Sequence, residues 1–161
     1  MKLFRKSLLT ASVFALLFAL NACGDIFGFG ENFLKAEFDG VEKEWNGAMV
    51  SALEVDTFNG VIIQGIKTTN LSDIEQISIA LAGFDGEGTY TNGSMESSQL
   101  VSYTVASTDT TFRSLSINGE VSVTSYQNSV IEGTFEFTLR NMVSKEETEV
   151  KNGSFKAKLI E

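Results

Sequence analysis

The chain has 161 residues, with 12 Lys+Arg against 21 Asp+Glu, no histidine, no proline and a single cysteine. Without histidine it lacks the commonest general base and the commonest nitrogen ligand for zinc or iron, and one cysteine allows no internal disulfide. A net charge of -9 opposes the phosphates of nucleic acid, so no DNA or RNA partner is expected.

The first element is a targeting segment. Lys2, Arg5 and Lys6 form a positive leader, and Leu8 to Leu20 is an apolar run without charge. Leu20-Asn21-Ala22-Cys23 then places a small residue directly before the cysteine. The run is too short to cross a bilayer comfortably, which takes about 20 apolar residues. This order of parts predicts a bacterial lipoprotein. Residues 1–22 are expected to form a signal-peptide helix, and Cys23 is expected to become the lipidated first residue of the mature protein. The acyl chains would supply the membrane anchor, because each buried methylene contributes about 0.8 kcal/mol. Removal of Lys2, Arg5 and Lys6 with the leader takes the net charge from -9 to -12. Gly24 follows the cysteine where an aspartate often retains lipoproteins at an inner membrane. An outer-membrane location in the cell envelope is therefore expected, on its periplasmic or external face.

Residues 23–32 are expected to form a lipidated tether. Gly24, Gly28 and Gly30 make it flexible, and Ile26, Phe27 and Phe29 could rest on a membrane interface or dock on the domain. Residues 33–161 are expected to form a single domain.

From Phe33 onward apolar residues recur at a period of two, the spacing of half-buried strands. Leu34, Ala36 and Phe38 alternate with Lys35 and Glu37, and Asp39-Gly40 turns the chain into a return strand from Val41 to Trp45. Met49 to Val55 and Val61 to Ile66 flank Asn59-Gly60, a strong hairpin signal. Ile77, Ile79 and Leu81 mark another strand after a polar connection over Thr68 to Asp73. A loop-rich section follows, punctuated by Gly83, Gly86, Gly88 and Gly93. Leu100 to Ala106 and Phe112 to Ile117 are strand-like, and Asn118-Gly119 is expected to turn the chain into Val121 to Thr124. The clearest strand is Ile131 to Leu139, with Phe135, Phe137 and Leu139 on one face and Glu132, Thr134, Glu136 and Thr138 on the other. Asn152-Gly153 is expected to precede a last strand through Phe155, Ala157 and Leu159. Turn signals at about 8–12-residue spacing predict an all-β domain, an antiparallel sandwich or partly open barrel of about 8–10 strands.

Little in this pattern points to catalysis, so no catalytic residue, cofactor or metal site is expected. Ser-His-Asp and Cys-His arrangements are impossible without histidine or a spare cysteine. Paired carboxylates could still serve a glycan hydrolase. Glu132 and Glu136 share a strand face, but roughly 13 Å of backbone separates them at about 3.3 Å per residue. Asp85-Gly86-Glu87-Gly88 invites a calcium ion but lacks the D-x-[DN]-x-[DN]-G pattern. Glu146, Glu147 and Glu149 beside Lys145 and Lys151 suit a solvated hairpin connection. The triplets at Asn70, Asn92 and Asn152 match a eukaryotic glycosylation signal that a bacterial lipoprotein would not use. Trp45, Tyr90, Tyr103 and Tyr126 are the candidate ligand-binding residues, because aromatic faces stack on sugars and anchor interfaces. The competing reading places them in core and strand packing.

Several short phrases carry a family likeness: Ala36-Glu37-Phe38-Asp39-Gly40 with Trp45 downstream, Gly88-Thr89-Tyr90, Gly119 to Tyr126, Ile131 to Thr138, and Val150 to Phe155. In this order they cover most of the mature domain, and the chain resembles a family of small lipoproteins of Bacteroidota grouped as a domain of unknown function. Val41 to Glu44 lie between the turn glycine and Trp45, a longer interval than members usually have. The resemblance implies a β-rich, membrane-anchored envelope protein and brings no catalytic residues with it. Together these features predict a non-enzymatic, lipid-anchored module that binds a glycan or an envelope protein, or supports one structurally, with a carboxylate-based glycan hydrolase as the alternative.

Overall fold

The computed structural model describes residues 31–70, 73–91, 99–107 and 111–160. The expected signal peptide, Cys23 and residues Ile26, Phe27 and Phe29 of the expected tether lie outside the described residues. The alternating segments form β1 (Phe33–Phe38), β2 (Val41–Asn46), β3 (Val50–Val55), β4 (Gly60–Asn70), β5 (Asp73–Ala82), β6 (Gly88–Thr91), β7 (Gln99–Ala106), β8 (Thr111–Gln127), β9 (Val130–Asn141) and β10 (Glu147–Ile160). Helical geometry among the described residues is limited to single 3-10 turns at Gly47–Met49 and Asp56–Phe58.

Strand pairing resolves sandwich against barrel. The order β10-β3-β4-β5-β7-β8 continues through β9, which pairs with both β8 and β10, so seven strands close on themselves. Among the described residues the closing joint is the one parallel pairing, Leu159↔Ala52 and Ile160↔Leu53, and the other pairings are antiparallel. Closure removes the open edges that a flat sheet would expose. Inside, Ile63, Ile77, Ile79, Leu81, Val101, Val121, Ile131, Leu139 and Phe155 are almost wholly buried. At about 1.5–3 kcal/mol for each fully buried large apolar side chain, they supply the main driving force for folding. The barrel is filled by its own side chains.

Three strands lie outside the ring. β6 pairs along Glu120–Val123 of β8. β1 pairs with β10 from Phe33↔Lys156 to Phe38↔Val150, and β2 pairs with β1. β10 thus gives β1 most of one edge and β3 only its last two residues. The β1–β2 hairpin fills the opening where β10 and β3 diverge. Asn32, at the end of the expected tether, belongs to this packing: it is 4% exposed and its amide donates to the Val50 carbonyl at 3.1 Å.

Asn118-Gly119 is not the expected turn but lies within the 17-residue β8, and Asn152-Gly153 does not precede the last strand but lies inside it, within the 14-residue β10. At both places the register shifts against β9, between Ser116 and Asn118 and between Val150 and Gly153. These are β-bulges, which bend and coil long strands around a barrel. A Cβ on Gly119 would fall 2.3 Å from the Glu136 carbonyl oxygen, and one on Gly153 would fall 2.3 Å from the Phe135 ring. The Asn-Gly pairs therefore permit close approach of neighbouring strands rather than reversal. True two-residue reversals occur at Asp39-Gly40, with φ of 49° and 80°, and at Asn128-Ser129, with φ of 52° and 61°. The second joins β8 to β9 through Gln127↔Val130 and carries serine where glycine is usual. Asn59-Gly60 opens β4 as expected, with Asn59 left-handed at φ 47°. Thr68 to Asp73, expected as a connection, is largely strand: β4 runs to Asn70 and β5 begins at Asp73.

Candidate functional site

The four aromatic candidates separate into two groups. Trp45 and Tyr103 belong to the first, at one end of the barrel. Phe38 lies between them, with ring centroids 6.3 Å from Trp45 and 4.9 Å from Tyr103. Trp45 is 2% exposed, its ring covers Gly65 of β4, and its indole N–H donates to the Glu75 carbonyl at 3.4 Å. This burial places it where the competing reading had it, in core packing. β2 presents Lys43 on the same side as Trp45, and the ammonium reaches the Glu75 carboxylate at 2.5 Å and the Tyr103 hydroxyl at 3.0 Å. The Tyr103 hydroxyl also donates to the Glu75 carboxylate. The ammonium sits over the rings of Phe38 and Tyr103, at 5.5 and 5.4 Å from their centroids.

The electrostatics of this cluster follow from burial and pairing. Burial works against charge on Lys43 and Glu75, yet their mutual hydrogen bonding and that with Tyr103 prevail, raising the lysine and lowering the carboxyl. Burial and then the Glu75 hydrogen bond push the Tyr103 hydroxyl up to about 12. A phenol whose folded pKa is raised contributes stability present below its unfolded value of about 10 and lost as pH rises through the folded value. Alkaline titration should therefore show stability falling between pH 10 and about 12. The loss in that window should be smaller in Tyr103→Phe, as followed by tryptophan fluorescence in a denaturant series at each pH. The chemistry of the cluster is that of a latch holding the β1–β2 hairpin to β5 and β7.

Tyr90 and Tyr126 form the second group, around Phe84, with ring centroids 5.9 and 5.2 Å from it. Tyr90 is 5% exposed and also lies in core packing. Its hydroxyl donates to the Gly86 carbonyl at 2.8 Å, with the Asp85 carboxylate at 3.1 Å as a second acceptor within reach, and accepts from the Asp85 N–H at 3.3 Å, pinning the acidic glycine loop. Tyr126, 37% exposed, keeps a face open to solvent. The four residues therefore form no shared platform. Among the described residues no group of three or more acidic, cysteine or histidine side chains is placed to hold a metal ion.

A polar concavity lies on the outer face of β8, β9 and β10. It encloses about 480 Å³ and is lined by Glu120 and Ser122 of β8, Thr134 and Glu136 of β9, and Asn152 and Ser154 of β10, with Phe135 and Gly153 at its floor. Its volume is within the range of ligand sites, about 300–1,000 Å³. Strand register accounts for the lining. Ser154, Thr134 and Ser122 are direct cross-strand neighbours, and Thr89 of β6 extends the row with its hydroxyl 3.2 Å from that of Ser122. In the adjacent row Glu120 and Glu136 face each other directly. The β10 bulge sets two residues, Lys151 and Asn152, against Glu136 and brings the Asn152 amide to the groove with φ 52°. No lysine or arginine is among the lining residues.

Sequence reasoning did not find this site because it paired Glu136 with Glu132 along one strand. The relevant partner is Glu120, across the sheet. The one available signal was the polar face of Ile131–Leu139, which does line the groove through Thr134 and Glu136.

Fold and groove define a class: a filled, seven-stranded β-barrel with a side hairpin and a polar groove on its outer wall. The family model described as Domain of unknown function (DUF6252) matches residues 31–157, and the chain belongs to that family. No curated protein and no solved structure matches the chain.

Proposed function

We propose that this chain is a non-enzymatic binding module, anchored by lipid on Cys23 at the outer membrane of a Bacteroidota cell envelope, and that the β8–β9–β10 groove takes a neutral, hydroxyl-rich ligand such as a glycan. The observation that supports this reading is the lining: hydroxyls, one amide and two carboxylates, and no Lys or Arg, around a groove of about 480 Å³. Carboxylates and amides are good acceptors for sugar hydroxyls, and an anionic ligand would meet two like charges. Large apolar side chains such as Ile63, Ile79, Val121 and Phe155 occupy the interior, which directs attention to the outer wall. The leader and cysteine support the anchor, and Cys23→Ala should release the protein from membranes.

Titration of the protein with short neutral oligosaccharides, followed by amide shifts, tests the groove. Thr134→Val keeps the branched shape of the side chain at the centre of the hydroxyl row and removes its hydrogen bonding. It should weaken binding by about three- to tenfold, the worth of one hydrogen bond of about 1 kcal/mol. Shifts confined to other faces would refute the assignment.

One observation favours a second reading. Glu120 and Glu136 are direct antiparallel neighbours, whose Cβ atoms are typically about 4.5–5.5 Å apart, and retaining glycosidases hold their two carboxyl groups about 5–5.5 Å apart. Release of reducing ends from an oligosaccharide, abolished by Glu120→Gln and by Glu136→Gln, would replace binding by hydrolysis.

A further inference from the structure

The β1–β2 hairpin ends the sheet, and the pattern on β2 sets what can extend it. Among the described residues β2 pairs only with β1. Asp39 donates its N–H to the Glu149 carbonyl of β10, so odd-numbered β1 residues bond toward β10 and even-numbered ones toward β2. The β2 partners of those even residues are Val41, Lys43 and Trp45. By the alternation of an antiparallel ladder, the N–H and C=O groups of Glu42 and Glu44 then point away from the sheet, toward the open edge. Both side chains are exposed.

The edge disfavours a second copy in its three central registers. A two-fold axis that joins two β2 strands antiparallel keeps the faces of the sheet, so directly opposed residues must have numbers of the same parity. Centring the contact on Glu42, Lys43 or Glu44 sets Glu42 against Glu42, Glu42 against Glu44, or Glu44 against Glu44. Each register opposes like charges, which destabilises a strand pair. Within the hairpin Glu42 already faces Glu37, another carboxylate. A strand with Lys or Arg at alternate positions would meet no such repulsion. It would set a cation opposite Glu42 and another opposite Glu44 while completing their backbone hydrogen bonds.

We propose that β2 is a docking edge for an extended segment of a partner protein carrying alternate basic residues. Strand addition supplies the backbone bonds, and Glu42 and Glu44 select the charge. This surface is separate from the groove and does not depend on what the groove binds.

The test uses the full chain with two short synthetic peptides, one alternating Lys and Thr and one alternating Glu and Thr. The expected result is binding of the Lys peptide alone, with slowed hydrogen exchange at the Glu42 and Glu44 amides. Glu42→Gln with Glu44→Gln should weaken that binding about tenfold, as two exposed charge pairs would. If the wild type ignores both peptides while the double Gln variant self-associates in sedimentation, the charges only guard the edge and the proposal falls. Equal binding of both peptides, or protection at other strands, would also overturn it.

Discussion

Gly119→Ala is expected to destabilise the protein by about 3–5 kcal/mol, combining backbone strain with overpacking. Gly119 has φ 129°, a conformation that side chains rarely adopt. A Cβ there would also lie 2.3 Å from the Glu136 carbonyl oxygen and 2.4 Å from Cβ of Phe137. The obstruction is backbone, so no rotamer change relieves it, and β8 must move away from β9. That pairing runs from Ser114↔Asn141 to Gln127↔Val130 and forms part of the barrel wall. Because Glu136 lines the groove, ligand binding should fall with stability. Urea unfolding of wild type and variant measures the effect. A change below about 1 kcal/mol would show that the bulge yields, and the account of strand coiling would be wrong.

Trp45→Ala should cost about 3–5 kcal/mol, the range for truncating a large buried aromatic. The indole occupies the space left by Gly65, where a Cβ would stand 2.9 Å from the ring, and it contacts Phe38 while bonding to the Glu75 carbonyl. Truncation should loosen the hairpin before the barrel. Hydrogen exchange is expected to accelerate first in β1 and β2, with β4 and β5 following only on global unfolding. Uniform acceleration would mean that the hairpin is not a separable unit. The complementary change, Gly65→Ala, should also destabilise, because the added methyl meets the same ring.

Much of the architecture was legible from local patterning. Alternation identified the strands around Leu34–Phe38, Ile77–Leu81 and Ile131–Leu139, and Asp39-Gly40 and Asn59-Gly60 marked real reversals. The same dipeptide misled at Asn118-Gly119 and Asn152-Gly153. An Asn-Gly pair offers a left-handed or open backbone, and both a reversal and a bulge use that freedom. Which one forms depends on whether the flanking segments pair with each other or both with a third strand. Here β9 runs alongside both pairs. Asn128-Ser129, a true reversal, escaped notice because serine is a weak turn signal.

The candidate residues divide in the same way. Aromatic identity was visible in Trp45, Tyr90, Tyr103 and Tyr126, but burial is a property of the assembled barrel. The sheet register joined Lys43 to Glu75 and Tyr103, 32 and 60 positions away, and Trp45 to Glu75, 30 positions away. The groove arose likewise, since Glu120 and Glu136 become neighbours only through β8–β9 pairing.

By itself, the sequence determined the β class, most strand positions and the acidic balance, because period, charge and short-range turn chemistry act locally. Only the tertiary structure decided barrel over sandwich, core over surface for Trp45 and Tyr90, and the composition of the groove. Those outcomes depend on which distant strands share an edge, and the parallel joint of β10 with β3 leaves no local trace in either segment.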